Sequence, residues 1–155
     1  MQMDVEGVLK RMLGAIGAPY KDISELEVAG QKIYMINVDD GKTLIGAHGD
    51  TIHAIDHLVK KIVEKQVGAE SSEDEIHFLI DVNEYRTRQI RDLQTKALMM
   101  AERARSFQYD VELSPMSAYE RLIVHTTLQN EPNVKTESQG EGRNRRVVIR
   151  YTAVE

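Results

Sequence analysis

The segment Gly46-Ala47-His48-Gly49 has residue types and a spacing that suit contact with a phosphate group. Glycine lets a ligand approach the backbone closely, and the helix predicted to follow would present unpaired N–H groups that attract anions. Neither central position is Lys or Arg, and the acidic Asp50 comes next. The segment therefore predicts either an anion-binding loop or an ordinary tight turn in which Asp50 caps the helix. On the first interpretation, we expect Gly49→Asp to leave the fold intact while placing a carboxylate where phosphate would approach.

Arg121 and His125 form an R-x-x-x-H pair, and residues four apart share one face of a helix. At about 100° per residue, the opposite, core-facing side is predicted to hold Tyr119, Leu122, Ile123 and Thr126. A guanidinium and an imidazole that project outward together can donate hydrogen bonds to phosphate oxygens. We expect the imidazolium form to strengthen such binding as the pH falls through the ordinary titration range of histidine. The bare spacing is also compatible with a surface pair that has no function.

Two groups of arginines could supply a local positive surface for a phosphate backbone. The stronger group is Arg143, Arg145, Arg146 and Arg150, and no acidic residue lies between them in the sequence. The second group consists of Arg86, Arg88 and Arg91. The surface has to be local because the net charge of the chain is −5, whereas nucleic-acid-binding domains are usually basic. Residues 1–82 hold 8 basic and 15 acidic side chains and residues 83–155 hold 12 and 10, so the second half is better suited.

The composition excludes several kinds of chemistry. The chain has no cysteine, which rules out disulfides, thiolate metal sites and a thiol nucleophile. His53 and His57 have the spacing of a chelating pair, but no third ligand is evident and a solvated helix face explains them. No set of nucleophile, base and orienting residue is evident, so we expect no enzymatic activity, no cofactor and no metal. No signal peptide or apolar run of about 18 residues is evident, which predicts a cytoplasmic protein without membrane insertion.

Apolar spacing in residues 1–82 predicts the order helix, strand, strand, helix, helix, strand. The predicted ranges are 3–17, 23–29, 32–38, a short helical turn near 43–45, about 50–66, and 75–82. A polar loop is expected at 68–74. The long helix is predicted to turn one side to the core, formed by Ile52, Ile55, Leu58, Val59, Ile62 and Val63.

Residues 83–155 are predicted to form a small α/β unit with a three-stranded sheet. The expected elements are a long helix at about 83–106, a short strand at 111–113, a helix ending near 128, and strands at 134–138 and 146–152. Ser117 and Glu120 have the S-x-x-E spacing of a capping box, which predicts the start of the shorter helix.

The run from Pro115 to Ile149 closely resembles the R-3-H domain of the Jag family, whose members are also called SpoIIIJ-associated, KhpB or EloR proteins. The matching motifs are Pro115-Met116, Tyr119-Glu120-Arg121, His125, Thr136-Glu137-Ser138, Gly140, Gly142 and Asn144-Arg145-Arg146. The linking run VNEYRTRQIRDL is similar to the same family. The family often has an additional N-terminal Jag domain and linker, and we expect neither of them within these 155 residues.

The run TLIGAHGDTIHAIDHLV resembles the core of a KH domain in its aliphatic lead-in, its glycine pair and its amphipathic second helix. The resemblance implies an α+β protein in which a type II (prokaryotic) KH domain, α-β-β-α-α-β, occupies residues 1–82. An R-3-H domain that includes the linking helix would then occupy residues 83–155. KH domains clamp the backbone of about four nucleotides with their G-x-x-G loop.

The resemblance further implies a regulatory protein that binds single-stranded RNA, or single-stranded DNA, and acts in cell elongation or division. The implied contacts are Gly46, Ala47, His48, Gly49, Arg121, His125, Arg143, Arg145 and Arg146. A partner protein that consists of a KH domain alone is implied, and homo-oligomers are compatible with the sequence. The alternative is a protein-interaction adaptor whose acidic KH half binds a protein while only the R-3-H half contacts RNA. The lack of Lys or Arg at positions 47 and 48 favours this alternative.

Overall fold

The computed structural model of the chain describes residues 4–68 and 77–153. Contacts divide the chain into two compact units, Met1–Thr87 and Arg88–Glu155. The division falls inside the long helix Tyr85–Phe107, shortly after the boundary expected at residue 82. The first turn of this helix belongs to the first unit because its backbone is hydrogen-bonded there.

The described part of the first unit follows the order helix, strand, strand, helix, helix, strand. The elements are α1 Val5–Ala15, β1 Asp22–Val28, β2 Gln31–Asn37, α2 Lys42–Ile45, α3 Asp50–Val67 and β3 Leu79–Val82. Asp4 caps α1 by accepting a hydrogen bond from the Gly7 N–H at 3.0 Å. The predicted loop beyond Gly68 and the first two residues of the predicted strand 75–82 lie outside the described residues. His77 and Phe78 are described and precede the strand.

The sheet of the first unit has the strand order β1-β2-β3. β1 and β2 are antiparallel and are joined at Ala29-Gly30, where both residues have positive φ angles of 53° and 74°, as a type I′ hairpin requires. β2 and β3 are parallel, so the chain between them makes a crossover through α2 and α3. This crossover contains the segment Gly46–Gly49.

The apolar side chains of α1 and α3 pack with those of β2 and β3 in one core. The contribution of α3 is the narrow stripe Ile52, Ile55, Val59 and Val63. The prediction that Leu58 and Ile62 also face the core is wrong, because these side chains are 52% and 39% exposed. The part of α3 that is buried in the core is therefore narrower than the apolar side of the helix predicted from the sequence.

A buried polar network ties the start of the next helix to this core. Asp56 on α3 is 7% exposed and accepts hydrogen bonds from the Ile80 N–H at 3.0 Å and from Arg86 Nη1 at 2.9 Å. The fully buried Asp81 accepts from the N–H groups of Arg86 and Thr87 and from the Thr87 hydroxyl, at 2.8–2.9 Å. The expectation that Arg86 belongs to a phosphate-binding group is therefore wrong, since its guanidinium neutralises a buried carboxylate.

The second unit is built on α4 Tyr85–Phe107, followed by one more helix and a three-stranded antiparallel sheet in the order β4-β6-β5. The remaining elements are β4 Val111–Glu112, α5 Ala118–Leu128, β5 Val134–Gln139 and β6 Arg146–Tyr151. The small side chains Ala97, Ala101 and Ala104 give α4 a flat buried face in the core of this unit. The predicted α+β class and three-stranded sheet are confirmed.

The capping box predicted for α5 is present, with the Ser117 hydroxyl and the Glu120 carboxylate each accepting the other residue's N–H. The core-facing stripe of α5 is Ile123, Val124 and Leu128. The prediction that Leu122 faces the core is wrong, because this side chain is 47% exposed. The buried side of α5 is therefore rotated around the helix axis from the predicted side, which lay directly opposite Arg121.

Two properties of the described residues bear on function. Within residues 4–68 and 77–153, no helix combines the length and apolar character needed to cross a bilayer. Across the same ranges, no group of three or more His, Asp or Glu residues is arranged to hold a metal ion.

Candidate nucleic-acid interface

An open cleft of about 600 Å³ lies at the N-terminal end of α5. Its walls are the segment Pro115–Ala118, Glu120, Arg121, and the 3-10 turn that contains Gly142 and Arg143. The start of a helix attracts anions through its dipole, and two guanidinium groups line the same cleft. The Glu120 carboxylate also lines it but is engaged by the Ser117 N–H at 3.1 Å. The structure thus brings together Arg121 and Arg143, which lie far apart in the sequence.

Arg121 is half-buried and does not project freely from α5. Its Nη1 donates a hydrogen bond to the Met116 carbonyl oxygen at 2.8 Å. This bond orients the guanidinium at the cleft, and the group carries further N–H donors that can serve a ligand. The side chain therefore supports the loop before α5 and is also available to an anion.

His125 is half-buried between α5 and β5, so the prediction that it projects outward is wrong. Its Nδ1 lies 2.6 Å from Thr136 Oγ1, and its Nε2 lies 2.8 Å from Ser138 Oγ. Burial, and secondarily the positive charge of Arg121, lower the pKa of His125 below its ordinary value. The imidazole is consequently neutral at pH 7 and is held on both sides by hydroxyl groups.

The arginines after β5 have three different environments. Arg143 is exposed in the 3-10 turn and lines the cleft. Arg145 donates to the Gly140 carbonyl oxygen at 2.8 Å and so closes the turn before β6. Arg146 pairs with Glu112 at 2.6 Å, and Arg150 pairs with Glu137 and Asp110 at 2.7 and 2.9 Å.

Because alternate residues of β6 face opposite ways, Arg146 and Arg150 lie on the sheet face away from the core residues Val147 and Ile149. The structure therefore does not bring Arg146 to the cleft.

The loop Gly46–Gly49 joins α2 to α3 with left-handed backbone at His48 and Gly49, where φ is 55° and 80°. A Cβ at Gly46 would collide with the Thr51 side chain, and one at Gly49 would lie 2.9 Å from the Tyr85 ring. The expectation that Gly49→Asp leaves the fold undisturbed is therefore wrong, since the left-handed backbone and the nearby Tyr85 ring both strain any side chain at this position.

The tip of the same loop presents the exposed side chains of Ala47 and His48. The alternative in which Asp50 caps α3 is wrong, because the N-cap is Gly49 and no side-chain hydrogen bond caps this helix. The first turn of α3 therefore has no side-chain hydrogen bond to its backbone N–H groups, and it contains the acidic Asp50.

The sequence is similar to a known domain family and to several named proteins. Residues 91–151 match the R-3-H domain family. A protein of Clostridium symbiosum named RNA-binding protein KhpB is 39% identical over 111 residues, which cover 72% of this chain and 48% of that protein. The protein of the same name from Bacillus subtilis is 30% identical over 120 residues, covering 76% of this chain and 55% of that protein. The one from Lactiplantibacillus plantarum is 32% identical over 122 residues, covering 77% and 36%.

The chain belongs to the Jag, or KhpB, family. It spans about half the length, or less, of the curated KhpB relatives it matches. The matched R-3-H domain of this KhpB-family chain includes the cleft, His125 and the hydroxyl groups around it. The loop Gly46–Gly49 precedes that match.

Thr136 and Ser138 belong to the motif Thr136-Glu137-Ser138 of this KhpB-family chain, but the sequence did not predict their contacts with His125. They are two residues apart on β5, so both side chains lie on the face that meets His125. Glu137, between them, points to the opposite face, where it pairs with Arg150. The signal that could have identified them is the alternation of hydroxyl side chains along a predicted strand.

Proposed function

We propose that this chain binds single-stranded nucleic acid, with RNA as its main ligand, and that the cleft at the start of α5 holds the phosphate backbone. The observation that carries the proposal is that two guanidinium groups, Arg121 and Arg143, line one cleft at a helix N-terminus. Hydrogen bonds from guanidinium to phosphate are charge-assisted and therefore strong. The name of the relatives, RNA-binding protein KhpB, supports RNA as the ligand.

The first unit would be a type II KH domain, and the R-3-H domain would follow it. Support comes from the helix-strand-strand-helix-helix-strand order, from the parallel pair β2 and β3, and from a glycine loop between α2 and α3. In this arrangement the loop Gly46–Gly49 would contact the RNA backbone through main-chain N–H groups, because its tip residues, Ala47 and His48, include neither lysine nor arginine.

The cellular role proposed for the chain follows from family membership alone. It is that of a non-enzymatic, cytoplasmic regulator that acts on RNA in cell elongation or division, together with a partner protein made of a KH domain or with a second copy of itself. Size measurement of the purified chain by light scattering, alone and with the candidate partner, tests the assembly part of this role.

The cleft is tested by measuring the affinity for a short, fluorescently labelled single-stranded RNA of mixed sequence. Arg143→Ala and Arg121→Ala should each weaken binding by roughly tenfold to a hundredfold, the usual effect of losing a hydrogen bond to a charged group. Arg103→Ala is the matched control, because Arg103 is an exposed arginine on α4 outside the cleft. Equal affinity of all three variants and the wild type would remove the cleft as the binding site.

A protein-interaction adaptor is the second candidate function, in which residues 1–82 serve a protein partner. The observation favouring it is that the exposed loop tip offers neither lysine nor arginine, while the exposed Asp50 follows it. Ala47→Lys separates the two functions, because a lysine at a true phosphate clamp adds a phosphate contact and should strengthen RNA binding several-fold. Ala54→Lys makes the same change at an exposed position further along α3 and controls for net charge. Equal affinities of the two variants would favour the adaptor.

A further inference from the structure

His125 has no ring nitrogen left for a ligand. Thr136 Oγ1 engages Nδ1 at 2.6 Å and Ser138 Oγ engages Nε2 at 2.8 Å. A phosphate that took either ring nitrogen would have to displace one of these hydroxyl groups. The histidine of the R-x-x-x-H pair is therefore placed to act on its two neighbours instead of on the ligand.

We propose that the hydroxyl groups of Thr136 and Ser138 bind a backbone phosphate of the RNA and that His125 is the positioning residue that orients them. The proposal rests on the RNA-binding function proposed above and extends it to residues on β5. Serine and threonine hydroxyls are ordinary phosphate contacts in protein–nucleic acid complexes. Both side chains are half-buried, so they keep some exposure to solvent.

The hydrogen-bond inventory of the cluster leaves a donor for the ligand. A neutral imidazole has one N–H and one bare nitrogen, and a hydroxyl has one proton to donate. One hydroxyl must donate its proton to the bare nitrogen, while the other accepts the imidazole N–H and keeps its own proton. That remaining O–H can donate to a phosphate oxygen. When the imidazole gains a proton, both ring nitrogens donate, and both hydroxyl protons become available to phosphate.

The charges around His125 make this cluster sensitive to pH. On α5 the charged neighbour is Arg121, which together with burial lowers the pKa of His125. On β5 the facing groups are the two hydroxyls, because Glu137 points to the other face and pairs with Arg150. On β6 the charged residues Arg146 and Arg150 also lie on that other face and are paired. A bound phosphate would bring negative charge beside the imidazolium, so RNA binding should raise the pKa of His125 and take up protons.

Ser138→Ala and Thr136→Val remove one hydroxyl each and test the contact. Each should weaken binding of labelled single-stranded RNA by about tenfold, as expected for a lost hydrogen bond to a charged acceptor. Ser138→Thr retains a hydroxyl and should restore most of the affinity. Thr127→Val is the matched control, because the Thr127 hydroxyl donates to the Ile123 carbonyl oxygen within α5 and lies outside the cluster. Thermal melting of every variant establishes that it is folded.

The unmodified chain provides a second measurement that does not depend on any variant folding. An NMR titration follows the five histidine rings with and without RNA, and the His125 signal is identified by its loss in His125→Gln. A pKa of His125 that rises on RNA binding supports the proposal, and a pKa that does not change overturns it. Wild-type affinity in both hydroxyl variants also overturns it, while a loss in Arg121→Ala and Arg143→Ala would leave the RNA-binding function standing. If none of these variants differs from wild type, the proposed function itself has failed at this site.

Discussion

At the level of single residues, the capacity of an arginine or histidine to contact phosphate depends on the partners that it already has within the protein. Arg143 is exposed at the cleft, whereas Arg146 is engaged by Glu112 and Arg145 closes a turn. His125 is neutral and held between two hydroxyls. Residue type alone therefore overstates the number of phosphate contacts, because the same guanidinium chemistry also neutralises acids and supports turns.

His125 should make the stability of the second unit depend on pH. Its folded-state pKa is lowered, so the unfolded chain binds the proton more readily. This contribution to stability is fully present above the ordinary pKa of histidine and is lost as the pH falls through that range towards the lower folded-state pKa. Melting temperatures of the RNA-free protein measured across this range should fall with pH, and His125→Gln should have a smaller slope.

His57→Gln is the control for this pH experiment, since His57 is an exposed histidine on α3. Its slope should equal that of the wild type. A wild-type slope that persists in His125→Gln would contradict the assignment of the effect to the half-buried imidazole of His125. RNA affinity should change in the opposite sense, rising as the pH falls, because the ligand stabilises the imidazolium form.

At the level of elements, the longer helices among the described residues begin in different ways. Asp4 caps α1, the Ser117–Glu120 box caps α5, and the buried Asp81 accepts the first N–H groups of α4. α3 differs because it begins at Gly49 in left-handed backbone and has no capping side chain. The glycine loop therefore depends on backbone geometry, and its glycines serve the fold whether or not RNA binds there.

Gly49→Ala should destabilise the first unit, because a non-glycine residue in left-handed backbone costs about 1–2 kcal/mol and the new Cβ would lie 2.9 Å from the Tyr85 ring. Gly14→Ala is the matched control, since Gly14 lies within α1 and its Cβ would meet nothing within 4 Å. Replacing a helical glycine by alanine should stabilise by roughly 0.5–1 kcal/mol. Urea denaturation measures both effects, and equal stability of Gly49→Ala and the wild type would contradict the described loop geometry.

At the level of the whole molecule, charge is distributed unevenly. The net charge is −5, and residues 1–82 hold 15 acidic side chains against 8 basic ones. A nucleic acid is therefore repelled by much of the chain and attracted only near local cations. Binding through a few such cations should be weak at high ionic strength, since added salt screens the contacts and removes the gain from counterion release.

RNA affinity should fall with increasing salt concentration, with a slope of about −0.7 in the logarithmic plot for each phosphate contact on a single strand. Arg143→Ala should reduce the steepness by about one contact, whereas Arg103→Ala should leave it unchanged. The measurement is a titration of labelled RNA at several salt concentrations. An affinity that does not vary with salt, or an unchanged slope in Arg143→Ala, would be inconsistent with phosphate contacts at the cleft.

Local sequence patterns determined much of the architecture by themselves. The order of helices and strands and the capping box at Ser117 follow from apolar period and caps, which act between residues close in sequence. The motif around Arg121 and His125 also led to the family that the comparisons show.

Only the tertiary structure decided which partner each side chain contacts. Arg86 forms an ion pair with Asp56 on another helix, and Arg146 forms one with Glu112 on another strand. His125 is hydrogen-bonded to two hydroxyl groups on β5. It also decided that Leu58 and Leu122 stay exposed on helices whose apolar sides look wider in the sequence. The physical reason is that helical period determines which residues share a face. How much of that face is covered, and by which partner, depends on segments distant in the chain that pack there only in the folded protein.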